Sequence, residues 1–472
     1  MAQIRESGAE TGDPMDLLDR LSDLLGPAQV LRGAEALAYG REWTGHYVWE
    51  PLAVVRPGTT EEVAAVLRLA HQTGTPVVPL GGNTGLNGGT CAPAALMLSL
   101  SRMNRIRDLN PAARTVVAEA GVVLETLQDL AAAQGLAFPL SFGAKGSAMV
   151  GGFLSTNAGG SNVLRYGSAR ALCLGLEVVL ADGRIWHGLT GLHKDNTGYD
   201  LRDLLIGAEG TLGIITAAVL KLVPAPTAYA TALVGLDSLS EALALLNTVQ
   251  AGTGGAVEAF EFMPDRYMAR LSRLKPALAC PYAPRPVNLL IETATTVPGA
   301  DPGAVLETLL GAAMEAGQIA EAVIAQSASQ RRKLWEMRES AAEITFTTPD
   351  IVDCDIALPL DRLQSFLARM TPALAELDPG AEELVIAHLG DGNIHYTAYP
   401  SRPDPVLAQA IRARVSTEAV ALGGSFSAEH GVGISKRATM AAHKDPVALQ
   451  MMAAIKAALD PKGILNPGKV LP

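Results

Sequence analysis

Leu17, Leu18, Leu21, Leu24 and Leu25 recur at helical intervals, which predicts one or two amphipathic helices within residues 13–40. Next comes PLAVVRPGTTEEVAAVLRLAHQTGTPVVPLGG, residues 51–82. Two short apolar runs flank a helix that Thr59 or Thr60 can cap, with acids following, so the stretch predicts a β-α-β unit. ALMLSL, TVVAEAG and LGLEVVLADGRIW add strand-like runs. VLETLQDLAAAQG reads as a helix stopped by Gly135.

Beyond Pro224 and Pro226 the pattern changes. SLSEALALLNTVQ and DPGAVLETLLGAAMEAG carry helical spacing, while AVEAFEFM and VNLLIETAT read as strands. This predicts an α+β region with an antiparallel sheet and a domain boundary near residue 225. The tail IKAALDPKGILNPGKVLP predicts a helix and then a Pro/Gly-rich strand.

Composition narrows the class. Hydrophobic residues make up 49% and charged residues 18%, enough apolar material for large cores. The net charge of −11 argues against a phosphate backbone as partner. Cys91, Cys173, Cys280 and Cys354 lie far apart, with no C-x-x-C, so thiolate metal clusters are excluded and a reducing compartment is implied. The polar, acidic N-terminus does not read as a secretion signal. No stretch reaches the roughly 18 apolar residues of a membrane span. A cytoplasmic protein is expected.

Glycine concentrates in VVPLGGNTGLNGG and in GAKGSAMVGGFLSTNAGGSNVLRYGS. Neither matches the spacing of the common nucleotide-binding fingerprints. Successive glycines still let a backbone aim several N–H groups at a diphosphate. A plain flexible turn is the competing reading of the first stretch. The second favours a buried polar cofactor, because small hydrogen-bonding residues alternate there with apolar ones.

These segments, with KDNTGYDL, GAEGTLGIIT, AHLGDGNIH, SAEHGVG and LDPKGILNPGK in the same order, resemble the vanillyl-alcohol oxidase flavoprotein superfamily. The similarity is to its FAD-dependent D-2-hydroxy-acid dehydrogenase branch, which takes in D-lactate, glycolate and D-2-hydroxyglutarate dehydrogenases, and it runs from about residue 40 to 472.

The resemblance implies a two-subdomain FAD-binding domain over 46–225, preceded by a helical segment over 1–45. A substrate domain over 226–425 and a C-terminal segment over 426–472, returning to the flavin, would follow. It implies FAD contacts at Pro79, Gly81, Gly82, Asn83, Thr84, Gly85, Leu86, Ser147, Gly151, Ser155, Thr156, Asn157, Gly159, Gly160, Gly210, Ile215 and Asn466. No His or Cys stands in the glycine loop before Cys91, so the FAD is expected to be non-covalent. An electron-transfer flavoprotein is the expected acceptor, and a homodimer is compatible with the sequence.

His388 and His395 flank a Gly390-Asp391-Gly392 turn that can fold two strands so that both imidazoles converge. Glu429 and His430 lie in SAEHGVG. Imidazoles with a carboxylate suit zinc or another divalent transition metal. The bland reading of any one histidine is a hydrogen-bonded core residue; three such residues in two glycine-flanked turns weigh against it. The resemblance implies His388, His395 and Glu429 as metal ligands and His430 over the substrate, as the base in oxidation of a D-2-hydroxy acid by hydride transfer to flavin N5. Glu429 and His430 are adjacent, so only a turn or bulge lets both reach one site. Asp391 orients an imidazole or caps the turn.

The family's substrate arginine falls on Arg338, where a guanidinium can pair with a carboxylate through two bonds. Arg331 and Arg332 lie on other helix faces and read as surface charge. Departures occur at Ala342, Asp353 and Thr397, where D-2-hydroxyglutarate dehydrogenases carry Thr, Lys and Asn. They put the glutarate tail in doubt and leave the general reaction intact. Two rivals are a zinc hydrolase without flavin and a non-catalytic ligand-binding protein. Both leave the glycine stretches without a role.

Overall fold

The computed structural model describes residues 14–472 except Thr44 and Ala92. The readings made of the first 13 residues, including the start of the first helix, lie outside the described residues.

Pro14–Leu25 forms the N-terminal helix, and the short helix Ala34–Leu37 follows. Strands β1 (Val30–Leu31), β2 (Ala53–Val55), β3 (Val77–Leu80) and β4 (Leu96–Ser99) make a small sheet in the order β1-β2-β4-β3. The β-α-β unit is present, with β4 inserted in parallel between its two strands. Its helix, Thr60–Thr73, is capped by Thr59, whose hydroxyl accepts the Glu62 N–H. Gly74 closes that helix in the left-handed conformation.

The second sheet contains β5 (Ile106–Asn110), β6 (Thr115–Glu119), β8 (Cys173–Val179), β9 (Ile185–Gly188) and β10 (Ile214–Lys221), ordered β5-β6-β10-β8-β9. Strands β7 (Leu136–Ala137) and β11 (Val223–Pro224) pair separately. Side chains of the first and second sheets, among them Val179 and Ile214, share one apolar core.

From residue 228 the strands enter a seven-stranded antiparallel sheet: β12 (Ala228–Leu236), β13 (Val257–Pro264), β14 (Val287–Thr295), β15 (Glu321–Ile324), β16 (Val352–Ala357), β17 (Glu382–His388) and β18 (Asn393–Tyr399). The order is β15-β12-β14-β13-β17-β18-β16. One face is covered by the helices Leu239–Gly252, Pro302–Glu315, Leu363–Leu377 and Pro405–Ala421 over a large apolar cluster. The other face alternates apolar residues with Glu292, Glu261, His388, His395, Asp355 and Asp353, each fixed by strand register. Polar side chains on a sheet face otherwise packed against helices mark where chemistry can be housed.

The tail departs from expectation. Helix Pro446–Leu459 is followed by turns, not a strand, and only Leu465 bridges to Val77 of β3. Pro467 and Gly468 break the alternation a strand needs, and Asn466 sits at φ 40°.

Candidate active site

A cleft of about 330 Å³ runs between the glycine-rich segments and ends at Glu429 and His430. Pro79, Gly81, Gly82, Asn83, Thr84, Gly85, Leu86, Gly151, Ser155, Thr156, Gly159, Gly210, Ile215 and Asn466 all line it. Ser147, Asn157 and Gly160 are not among the residues that line it, although each adjoins one that does. The Ser147 carbonyl oxygen lies 2.0 Å from where a Cβ on Gly82 would be, so only glycine permits that approach. The Asn157 Oδ1 accepts from Ser168 Oγ (2.9 Å) and the Arg170 N–H (3.0 Å).

The cleft suits an extended dinucleotide. A Cβ at Gly85 or Gly152 would meet nothing within 4 Å, so those glycines keep the floor low rather than relieve internal crowding. Asn466 donates to the carbonyls of Gly89 (3.0 Å) and Glu209 (2.7 Å), which leaves its buried Oδ1 without a partner. Such an orphaned acceptor at a cleft wall is satisfied by a ligand donor.

The hairpin of β17 and β18 places His388 and His395 on one face, with ring centroids 5.5 Å apart. Asp391 caps the turn between them, its Oδ1 accepting the Asn393 N–H at 3.0 Å; burial raises its carboxyl to about 6. His395 stacks with His430 at 5.8 Å. The Oε1 of Glu429 is 3.7 Å from Nε2 of both His395 and His430. Those separations are too long for hydrogen bonds, so the lone pairs remain unspent. Burial, reinforced by His388, holds the His395 pKa well below the usual histidine value and keeps that imidazole neutral.

Among the described residues, ligand atoms of Asp355, His395, Glu429 and His430 lie within 4.8 Å of one another. Asp355 is already committed. Its Oδ2 accepts the N–H groups of Ala428 (3.1 Å), Glu429 (3.1 Å) and His430 (2.9 Å), and its Oδ1 accepts from Asn393 Nδ2 (2.8 Å). Burial opposes its charge, yet His430 and Lys436 outweigh burial and drive its pKa far down. His388 lies beside this group. Its Nδ1 meets the Glu261 carboxylate at 2.8 Å, which leaves Nε2 as the nitrogen available to a cation. Burial works against a charged His388, but Glu261 prevails and raises its pKa. The donor chemistry of His388, His395 and Glu429 therefore fits a divalent transition metal.

The loop carrying Glu429 and His430 is no strand. Besides Asp355, it is held by Glu209, whose carboxylate accepts the N–H groups of Val432 (2.6 Å) and Gly433 (2.8 Å). Asn87 donates to the carbonyls of His430 (2.9 Å) and Gly431 (2.7 Å). Gly431 turns at φ 74°, and a Cβ there would approach Glu209 Oε1 to 2.7 Å. This turn lets two adjacent side chains serve one site.

Arg338 is 7% exposed at the end of the Ala328–Glu339 helix. Its Nε donates to Glu261 (2.9 Å), and its buried Nη2 has no partner. Arg331 is not surface charge: it pairs with the buried Glu292 through Nε (2.7 Å) and Nη2 (2.6 Å) and lies over the Tyr229 ring. Arg332 is exposed, as is Ala342 on the Ala341–Thr345 helix. Thr397 Oγ1 donates to Asp353 Oδ1 at 2.9 Å, two pairs along from Asp355 and His395 and so on the same sheet face. Sequence reasoning passed over Glu261, Asp355, Glu209 and Asn87. An acid inside an apolar strand, as in AFEFM and VDCDIA, was the signal for the first two.

Residues 225–470 match the family of FAD linked oxidases, C-terminal domain, and residues 51–188 match the FAD binding domain family. The mitochondrial D-2-hydroxyglutarate dehydrogenase of Bos taurus is 41% identical over 94% of this chain and 82% of its own length. That of Stutzerimonas stutzeri is 35% identical over 96% of this chain and 98% of its own. A p-cresol methylhydroxylase structure superposes with a TM-score of 0.77 at 16% identity, over 99% of this chain and 98% of that one. A 4-ethylphenol oxidase from Gulosibacter chungangensis gives 0.72 at 18% identity, with the same coverage. Among the described residues no helix is long and apolar enough to cross a membrane. With the glycine cleft, both family matches and relatives alike over nearly its whole length, the chain belongs to the FAD-dependent D-2-hydroxy-acid dehydrogenases, oxidoreductases acting on a hydroxy acid.

Proposed function

We propose that the chain oxidises a D-2-hydroxy acid to the 2-oxo acid at the junction of the FAD cleft and the His388/His395/Glu429 cluster, with His430 as base. The observation that carries this reading is the convergence at one cleft end. Glu429 and His430 line the cleft, while Glu429 Oε1 is 3.7 Å from both neighbouring imidazoles.

Arg338 binds the substrate carboxylate through the buried Nη2 that has no protein partner. His430 Nε2, on the Glu429 side of the ring, takes the hydroxyl proton, while Asp355 lies 3.8 Å from Nδ1 on the other side. The glycine cleft would hold FAD, whose chemistry when bound would be that of a hydride acceptor. His388, His395 and Glu429 would hold zinc or a similar ion, which would supply Lewis acidity toward the substrate hydroxyl. Asp355, Glu209 and Asn87 keep the His430 loop in place.

Oxidation of D-2-hydroxyglutarate is the second reading, favoured by the names of the relatives. The part-buried Asp353 carboxylate, on which His430 acts, counts against a second negative charge on the substrate. The test is to add D-lactate and D-2-hydroxyglutarate anaerobically to the purified protein and follow visible flavin absorption. Bleaching by a D-acid and not by its L-enantiomer supports the reading. A colourless, folded protein, or one that no 2-hydroxy acid bleaches, overturns it.

A further inference from the structure

Two arginine–glutamate pairs, one part-buried and one buried, lie on the same face of the seven-stranded sheet, and their geometries differ. Arg331 spends both Nε and Nη2 on Glu292, at 2.7 and 2.6 Å, the closed fork of a structural pair. Arg338 spends only Nε on Glu261, at 2.9 Å, and leaves Nη2 buried without a partner. The Glu261 carboxylate, itself 0% exposed, gives its remaining capacity to His388 Nδ1, 2.9 Å from Oε1 and 2.8 Å from Oε2. Glu261 and His388 face each other across β13 and β17, so register fixes the contact.

We propose that Glu261 is the positioning residue that joins the two halves of the active site, setting the His388 ring for metal binding and holding Arg338 with Nη2 free for the substrate carboxylate. This rests on the roles given above to His388 and Arg338. The acceptor fixes the proton on Nδ1, which leaves the lone pair on Nε2. The same carboxylate holds the guanidinium on one edge only. A bond to both groups makes one buried side chain answer for metal affinity and substrate affinity together. A carboxylate that only compensated buried charge would have no reason to leave a guanidinium nitrogen orphaned.

The test uses FAD-loaded protein stripped of metal with a chelator. Calorimetric titration with Zn²⁺ alone reads the histidine arm, and KM for D-lactate at saturating Zn²⁺ reads the arginine arm. In Glu261→Gln, one amide oxygen replaces two acceptors and an NH2 group faces a donor. Zinc affinity is expected to fall about 10- to 100-fold. KM is expected to rise about tenfold or more, the effect of one lost charge-assisted bond. Double-mutant cycles make the assignment specific. Adding Glu261→Gln to His388→Ala should weaken zinc no further, and adding it to Arg338→Lys should raise KM little further. Glu261→Asp, which keeps the charge, serves where Glu261→Gln does not fold, and should lose on at least one arm through its shorter reach. Wild-type zinc affinity and KM in the folded variant overturn the proposal, as do fully additive losses. If His388→Ala binds zinc as wild type does, the ligand reading of His388 fails and takes the histidine arm with it. If Arg338→Lys leaves KM unchanged, the arginine arm fails alone.

Discussion

The Oδ2 atom of Asp355 accepts the backbone N–H of His430 at 2.9 Å, and the same oxygen accepts the N–H groups of Glu429 and Ala428. Three successive amides turned onto one buried carboxylate curl the chain. That curl, completed at Gly431, brings Glu429 and His430 to one site although they are neighbours in sequence. An aspartate so engaged acts through backbone and not as a metal ligand.

Asp355→Asn should therefore misplace the loop without emptying the cleft. The amide group must put an NH2 against either the three N–H donors or Asn393, and Lys436 loses its partner charge. Displacements on the 1 Å scale cost about 10²-fold in rate. Stopped-flow flavin reduction should slow by about that factor while the FAD-to-protein absorbance ratio holds. Wild-type reduction would show that Glu209 and Asn87 suffice to place the loop.

Metal removal separates the two halves of the site. The candidate ligands stand on β17, β18 and the 427–433 loop, whereas most of the FAD cleft comes from residues 79–215. Chelation should abolish turnover with the flavin spectrum retained, and added Zn²⁺ should restore it. His395→Ala should behave as the chelated protein does and resist rescue. Full activity in a preparation free of metal by elemental analysis contradicts the assignment.

His430→Asn probes the base. Asparagine keeps polarity and approximate size but cannot take a proton. Flavin reduction by D-lactate should fall roughly 10²- to 10⁴-fold, the usual worth of general acid–base catalysis. FAD and zinc content should stay at wild-type levels. An unchanged reduction rate moves the proton to another group.

The fold was legible where periodicity and turn chemistry coincide. Thr59 or Thr60 before Glu61 and Glu62 marked a helix start, and the Gly-Asp-Gly turn between His388 and His395 marked where two strands fold together. Strand order was not legible, because nothing local reveals that β4 enters between β2 and β3. That His388, His395, Glu429 and His430 converge was legible from their turns, whereas the side chains that hold them were not. Asp355 works on a loop more than seventy residues away in sequence (73 to 75 positions for the three amides), and no spacing rule reaches so far. Arg331 was misread because helical spacing gives its direction along the helix but not the Glu292 that awaits it on β14.

Substrate choice is expected to turn on Asp353. It faces Thr397 across β16 and β18, two residue pairs beyond Asp355 and His395 on the same sheet face, and His430 is among the charges that act on it. Thr397 satisfies one of its oxygens at 2.9 Å. A substrate carrying a second carboxylate would bring like charge to this end of the site. Two unit charges about 4 Å apart at an effective dielectric near 20 repel by roughly 4 kcal/mol. A quarter of that is still nearly a tenfold preference. D-lactate and longer neutral D-2-hydroxy acids should therefore show higher kcat/KM than D-2-hydroxyglutarate. Burial raises the Asp353 pKa above the usual aspartate value, so the carboxyl gains its proton, and the discrimination fades, as pH falls through that raised value. Lowering pH should thus narrow the ratio of the two kcat/KM values, and raising it should widen the ratio. Asp353→Lys, alone or with Ala342→Thr, should shift preference toward the dicarboxylate. The measurement is kcat/KM for D-lactate, D-2-hydroxybutyrate and D-2-hydroxyglutarate in wild type and variants across pH. A wild type that already prefers D-2-hydroxyglutarate would mean that another cation binds the distal carboxylate and that Asp353 does not face it.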